Sequence, residues 1–280
     1  MQWKPDAIDS HVHIWTDDFA RYPLDAAFTP IDLALPRFTT EDVLSQALTN
    51  GVDRIVLVQM SYYGCDNSLM LEAIRLYPNR FRGIAVIDEN RADLGDVMQR
   101  LRGCGVRGFR VMAIDPSVKL SERPGLRNML EQSASHGMAV DFLTAPEILP
   151  QLDYLCGQFP DTPIVVDHMA RIGMNGPILD ADVNALCRLA DHRNTSVKIS
   201  AFYALGQKRP PHDDLAPMIR QFYNAFGASR LMWGSDAPFQ TMSGNYRDSI
   251  DFIRHRLPFL TDQDKDWILR GTAERLFFQN

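Results

Sequence analysis

The amino-acid sequence predicts a (β/α)8 barrel, a TIM barrel, built as a single domain. Eight short apolar, β-branched runs recur along the chain, and loops connect them to longer segments with helical periodicity. The runs are nearly continuous in hydrophobicity rather than alternating, as parallel strands buried on both faces should be, and eight such units suffice to close a ring. At 280 residues the chain exceeds the usual domain length, but α/β barrels of roughly 200 to 250 residues form one domain. No fixed-period repeat, low-complexity tract or Gly/Ser/Pro linker divides it, so residues 1–280 read as one unit.

The first run, "AIDSHVHIW" (7–15), leads into the longest insertion, residues 16–38, which in this fold belongs at the strand C-termini and can form part of a lid. "TTEDVLSQALTN" is a helix opened by Thr and closed by Asn. The runs "DRIVLVQM" (53–60) and "FRGIAVID" (81–88) enclose "CDNSLMLEAIRLYP", where Asp66 and Asn67 read as caps. "RADLGDVMQRLRGCG" precedes "VRGFRVM" (106–112), and "SERPGLRNMLEQSASHG" precedes "GMAVDFLT" (137–144), with His136 and Gly137 marking a helix C-terminus. The runs "TPIVVDHM" (162–169), "TSVKISAF" (195–202) and "SRLMWGSD" (229–236) each follow a helical segment: "APEILPQLDYLCGQFP", "DADVNALCRLADHRN" and "PHDDLAPMIRQFYNAFG". Two extra helices, "GNYRDSIDFIRHRL" and "TDQDKDWILRGTAERLFF", end the chain. An open doubly wound sheet is the alternative, but no GxGxxG or GxxxxGK[ST] follows any run.

With 45% hydrophobic and 23% charged residues, the composition excludes disorder. The net charge of −6, without a block of like charges, offers no basic footprint for nucleic acid or an anionic membrane surface. A small polar substrate is the expected partner, and a homo-oligomer is compatible with the same data. Cys65, Cys104, Cys156 and Cys187 fall in no CxxC or zinc-ribbon spacing and read as reduced core or near-core thiols. The start "MQWKPDAIDSH" carries charges and a proline where a leader needs an apolar segment. No apolar run approaches ~20 residues, so the expected location is the cytoplasm.

Chemistry in such a barrel sits at the C-terminal strand ends. His11 and His13 close the first run, Arg110 lies late in the fourth, His168 ends the sixth, Lys198 lies inside the seventh and Asp236 ends the eighth. Residues i and i+2 of a strand share a face, so His11 and His13 point the same way. Three neutral imidazoles and a carboxylate can hold one divalent ion such as zinc, with an open position for a water whose pKa falls toward ~7. Without a metal, the imidazoles and a cation can polarise a carbonyl while ionised Asp236 takes a proton from water. His192, His212 and His255 fall away from the strand ends and read as surface residues. Trp15, Phe142, Tyr203 and Trp233 read as barrel core or pocket wall.

"DSHVHIW", "VVDHMAR" and "LMWGSDAPF" together resemble the landmarks of the amidohydrolase superfamily. With "QMSYYGCDNS", "GFRVM" and "KISAFYAL", the chain resembles its amidohydrolase-related lactonase branch, which acts on pyrone dicarboxylates and sugar lactones. The resemblance implies that His11, His13, His168 and Asp236 are the catalytic or metal-binding set, with Asp236 as the base that activates water. Arg110 stands where two-metal members carry a lysine that becomes carboxylated, and "GMAVDFLT" offers no histidine ligand. One divalent ion, zinc or manganese, is therefore the most to expect, and the branch includes members that need none. Arg110 is either an ion-pair partner of Asp141 or a clamp on a substrate carboxylate. Ser61, Tyr62 and Arg171 are candidate substrate contacts, with Ser61 matching a family position. Lys198 either supports the site or pairs with Asp167. The implied activity is hydrolysis of a small, anionic lactone; a metal-dependent decarboxylase or hydratase of the same superfamily is the alternative, and a non-catalytic binding barrel a third.

Overall fold

Each apolar run forms a strand, most of them shorter than the run: β1 Ala7–Val12, β2 Val52–Val58, β3 Phe81–Ala85, β4 Val106–Ala113, β5 Ala139–Thr144, β6 Ile164–Val166, β7 Thr195–Ile199 and β8 Leu231–Trp233. The structure is a computed structural model that describes residues 6–279; the first five residues of the stretch read for a leader lie outside the described residues. Every strand pairs in parallel with the next in chain order. The ring closes where the Asp236 N–H donates to His11 O (2.9 Å) and the His13 N–H to Ala237 O (2.9 Å). Eight parallel strands with helices between them make this a TIM-barrel fold.

The helices of the ring are α1 Thr40–Thr49, α2 Ser68–Leu76, α3 Leu94–Gly103, α4 Pro124–His136, α5 Leu149–Gln158, α6 Asp180–Arg188 and α7 Ala216–Phe226, followed by α8 Phe239–Ser243, α9 Tyr246–His255 and α10 Asp262–Asp266. Thr39 with Asp42, Asn245 with Asp248 and Thr261 with Asp264 form reciprocal capping boxes at the starts of α1, α9 and α10. Gly137 ends α4 in the left-handed conformation that an L side chain disfavours. One core layer lies between strands and helices. The other fills the barrel, where Ile8, Val56, Ile84, Val165 and Met232 meet Ala273 and Phe277 of the C-terminal helix. That final helix widens into π-type turns at Trp267–Gly271 and Glu274–Phe278 rather than continuing as a regular α-helix.

The 16–38 insertion is fastened rather than loose. Trp15 and Phe38 pair across its neck, and the Trp15 indole donates to Leu35 O (2.8 Å). His212 departs from the surface expectation: it is buried, packed between the rings of Phe202 and Phe252, because its loop folds back against α9. All four cysteines are free, but Cys65 and Cys104 are exposed instead of core residues, since both sit in turns. Among the described residues, no helix is long and apolar enough to cross a membrane.

Candidate active site

Both histidines at the end of β1 turn their rings into one space. His13 Nδ1–H donates to Val58 O (2.8 Å), which turns Nε2 into that space. That Nε2 lies 3.2 Å from His11 Nε2 and 3.3 Å from Asp236 Oδ1; His11 Nε2 and Asp236 Oδ1 are 3.7 Å apart. His168 stands slightly off, its Nε2 4.0 Å from Asp236 Oδ2 and its Nδ1 2.8 Å from Ser200 Oγ. Tyr203 donates its hydroxyl to Asp236 Oδ2 (2.7 Å), whereas Oδ1 has no hydrogen-bond partner. Burial pushes the Asp236 pKa upward, but the surrounding His168, His13 and His11 imidazoles overcome it and hold the carboxyl well below the usual range. Burial also lowers the pKa values of His11 and His168.

A buried charge network supports these rings from below. Lys198, fully buried on β7, contacts Asp141 and lies 3.1 Å from Asp167 Oδ1 and 3.3 Å from His11 Nδ1. Asp167 Oδ1 is also 3.3 Å from His11 Nδ1, a carboxylate–imidazole contact that orients the ring. Burial alone would raise the Asp167 pKa, yet Lys198, His11 and Arg110 hold it well below the ordinary value. Asp141 shares the same ammonium with fewer cations around it, and burial pushes it up to about 6. Arg110 and Asp141 are in register on adjacent strands, but the Arg110 guanidinium turns to Asp167 (Nε–Oδ2 3.4 Å). Of the two readings of Arg110, the ion pair with Asp141 does not form: Asp141 turns to the ammonium that β7 brings into the barrel.

The backbone does the aiming. His168, Met169, Ala170 and Arg171 all adopt left-handed φ of 52–59°, and Asp236 lies at φ 61°. Such conformations cost about 1–2 kcal/mol per non-glycine residue. This turn swings His168 off the line of β6 and carries Arg171 onward. Gly234 makes the close approach of β8 to β1 possible, since a Cβ there would sit 2.8 Å from His11 Cβ and 3.1 Å from His11 N. Gly234→Ala should shift His11 and lower turnover by about 10²-fold, as a displacement near 1 Å does; steady-state kinetics beside a thermal melt checks this.

Of the other residues singled out from sequence, Arg171 is half-buried and makes no carboxylate pair among the described residues. It lines a cavity of about 500 Å³ with Ile114, Met174, Asn175 and the acidic Glu147 and Asp182. Ser61 is exposed at the turn directly after β2. Tyr62 is buried under the insertion, where its hydroxyl accepts the Ala34 N–H (3.1 Å), and Tyr63 accepts the Thr16 N–H (3.0 Å). These tyrosines fasten the 16–38 loop. Two supporting residues escaped the sequence reading. Tyr203 had read as core or wall, and nothing in "KISAFYAL" signals that it bonds Asp236. Asp9 accepts the Ser235 N–H (2.8 Å) and the Tyr246 hydroxyl (2.6 Å), joining β1 to the end of β8; burial raises its pKa to about 6.

The amidohydrolase family model matches residues 8–279. The chain belongs to the amidohydrolase family. Among curated family relatives, an L-fucono-1,5-lactonase of Burkholderia ambifaria is 28% identical over 86% of this chain and 83% of its own length. A 2-pyrone-4,6-dicarboxylate hydrolase of Comamonas testosteroni is 27% identical over 97% of this chain and 90% of its own. A crystal structure of a putative 2-pyrone-4,6-dicarboxylic acid hydrolase from Pseudomonas putida superposes with a TM-score of 0.83, covering 98% of both chains at 25% identity. The amidohydrolase barrel seen here thus carries a His/Asp cluster of the kind that can hold a metal ion.

Proposed function

We propose that this protein hydrolyses a small, anionic lactone by adding water to the ring ester carbonyl. The observation that carries the reading is the pairing of an ionised, unpartnered Asp236 Oδ1 with three buried imidazoles in one space at the strand C-termini. Asp236 takes the proton from water, and Tyr203 on Oδ2 keeps Oδ1 turned to the reacting centre. When Ser200 donates to His168 Nδ1, His168 Nε2–H faces the same space and stabilises the tetrahedral oxyanion. Asp236 then returns its proton to the leaving oxygen, which completes ring opening. Arg110 binds a substrate carboxylate through the guanidinium nitrogens not turned to Asp167, and Arg171 receives a second anionic substituent. Lactone-hydrolase names among the relatives support the same class.

The donor set also fits one divalent ion. Two imidazole nitrogens and a carboxylate oxygen at mutual distances of 3.2, 3.3 and 3.7 Å match the edge of roughly 3.3 Å that ligands with 2.0–2.1 Å bonds make around tetrahedral zinc. His11 Nε2, His13 Nε2 and Asp236 Oδ1 would hold it, zinc or manganese, with His168 outside the triad. When bound, it supplies Lewis acidity toward the ester carbonyl and makes water more acidic.

A panel of carboxylated pyrones, muconolactones and sugar lactones, followed by proton release with and without chelator, tests the reading. Turnover of at least one lactone is expected. Arg171→Ala should raise KM for an anionic substrate about tenfold with little change in kcat, as lost uniform binding does. Carbon dioxide release from a carboxylated phenol, with no lactone opened, would overturn it.

A further inference from the structure

On the outer wall of the barrel, away from the His/Asp centre, α2, the end of α3 and the starts of β3 and β4 line an open cavity of about 740 Å³. Leu71 and Ile74 give it apolar walls, while Arg75, Arg82 and Arg107 outnumber Glu72, its one acidic lining residue. That carboxylate is already engaged by Arg21 and Tyr22, and Arg75 stands 3.9 Å from it. Arg82 and Arg107 meet no carboxylate among the described residues, a local excess of positive charge in a chain whose net charge is −6. Each guanidinium is nevertheless fixed in place. Arg82 Nη1 donates to Pro78 O (2.6 Å) and Phe81 O (2.9 Å), and Arg107 Nη1 to Arg102 O (3.0 Å) and Val106 O (2.9 Å).

One edge of each group thus ties the end of the preceding helix segment to the start of its own strand, and the Arg82 guanidinium also lies over the Phe278 ring, 5.2 Å from its centroid, while Nη2 of both groups meets no protein acceptor among the described residues. Arg82 Nε is buried with no hydrogen-bond partner, so it adds to the cost of holding this cation here without a counter-charge. Burial and the charges of neighbouring arginines lower the pKa values of both groups, the mark of uncompensated cations. Pre-positioned forked donors beside an apolar wall suit a ligand with a compact double charge on a hydrophobic body.

We propose that this cavity is a second ligand site that binds a small organic dianion of the phosphate-ester class. Arg82 and Arg107 take the charged group, and Leu71 and Ile74 take the apolar body. None of these residues belongs to the His/Asp centre, so the proposal stands apart from the lactonase reading.

Calorimetric titration with phenyl phosphate at constant ionic strength tests it on the full chain. Four proteins are compared: wild type, Arg107→Gln, Cys104→Trp and Arg171→Gln. Cys104 is exposed and lines the cavity, so a tryptophan there fills the space while leaving every arginine in place. Binding should weaken at least about tenfold in Arg107→Gln and Cys104→Trp, in line with the loss of a charged hydrogen bond. It should persist in Arg171→Gln, and thermal melts verify that each variant is folded. Absence of binding to wild type, equal binding by all four proteins, or a loss confined to Arg171→Gln overturns the proposal.

Discussion

Asp236→Asn is expected to lower kcat on the lactone substrate by about 10²–10⁴-fold, the usual worth of a positioned general base. Asparagine keeps the size of the side chain and can still accept the Tyr203 hydroxyl, but it cannot take a proton from water. The native carboxylate is well suited to the task because neighbouring imidazoles keep it ionised despite burial, and because Oδ1 has no hydrogen-bond partner. Kinetics measured by proton release, with a thermal melt to confirm folding, checks the expectation. A loss smaller than about tenfold in a folded variant would show that the base lies elsewhere.

Lys198→Met should produce the largest change in stability. The substitution preserves an unbranched stem and removes one ammonium, leaving Asp141 and Asp167 fully buried without the cation they share. Breaking a buried ion pair from one side costs about 3–5 kcal/mol, which corresponds to a fall in Tm of about 10 °C for a chain of this size. Adding Asp141→Asn removes one stranded carboxylate and should recover part of the loss, because residues in one network do not act additively. Differential scanning calorimetry of the two variants decides the matter. A Tm within about 2 °C of wild type for Lys198→Met would mean that the network is not what holds the barrel interior.

The strands were legible because burial on both faces leaves continuous apolar runs, and the residues that end them could be ranked once a closed barrel placed their C-termini together. What could not be read depends on conformation or reach across the ring. Four successive left-handed residues, His168 to Arg171, include no glycine, so no local signal marks the turn that aims His168. Adjacent register made an Arg110–Asp141 pair one of two readings, but side chains inside a barrel meet partners from non-adjacent strands, and Lys198 takes Asp141. Hydroxyl partners are equally invisible in sequence: Tyr62 turned to the 16–38 loop, whereas Tyr203 turned to Asp236. His212 read as a surface residue because its burial comes from Phe202 and Phe252, whose rings reach it through tertiary packing.

Isotope incorporation from 18O-labelled water during single turnover tests the central chemistry most directly. Water attack at the ring ester carbonyl predicts one labelled oxygen in the newly formed carboxylate, at a rate that collapses in Asp236→Asn. Label in the released hydroxyl, or carboxylate labelling that proceeds unchanged without the Asp236 carboxyl group, would contradict it.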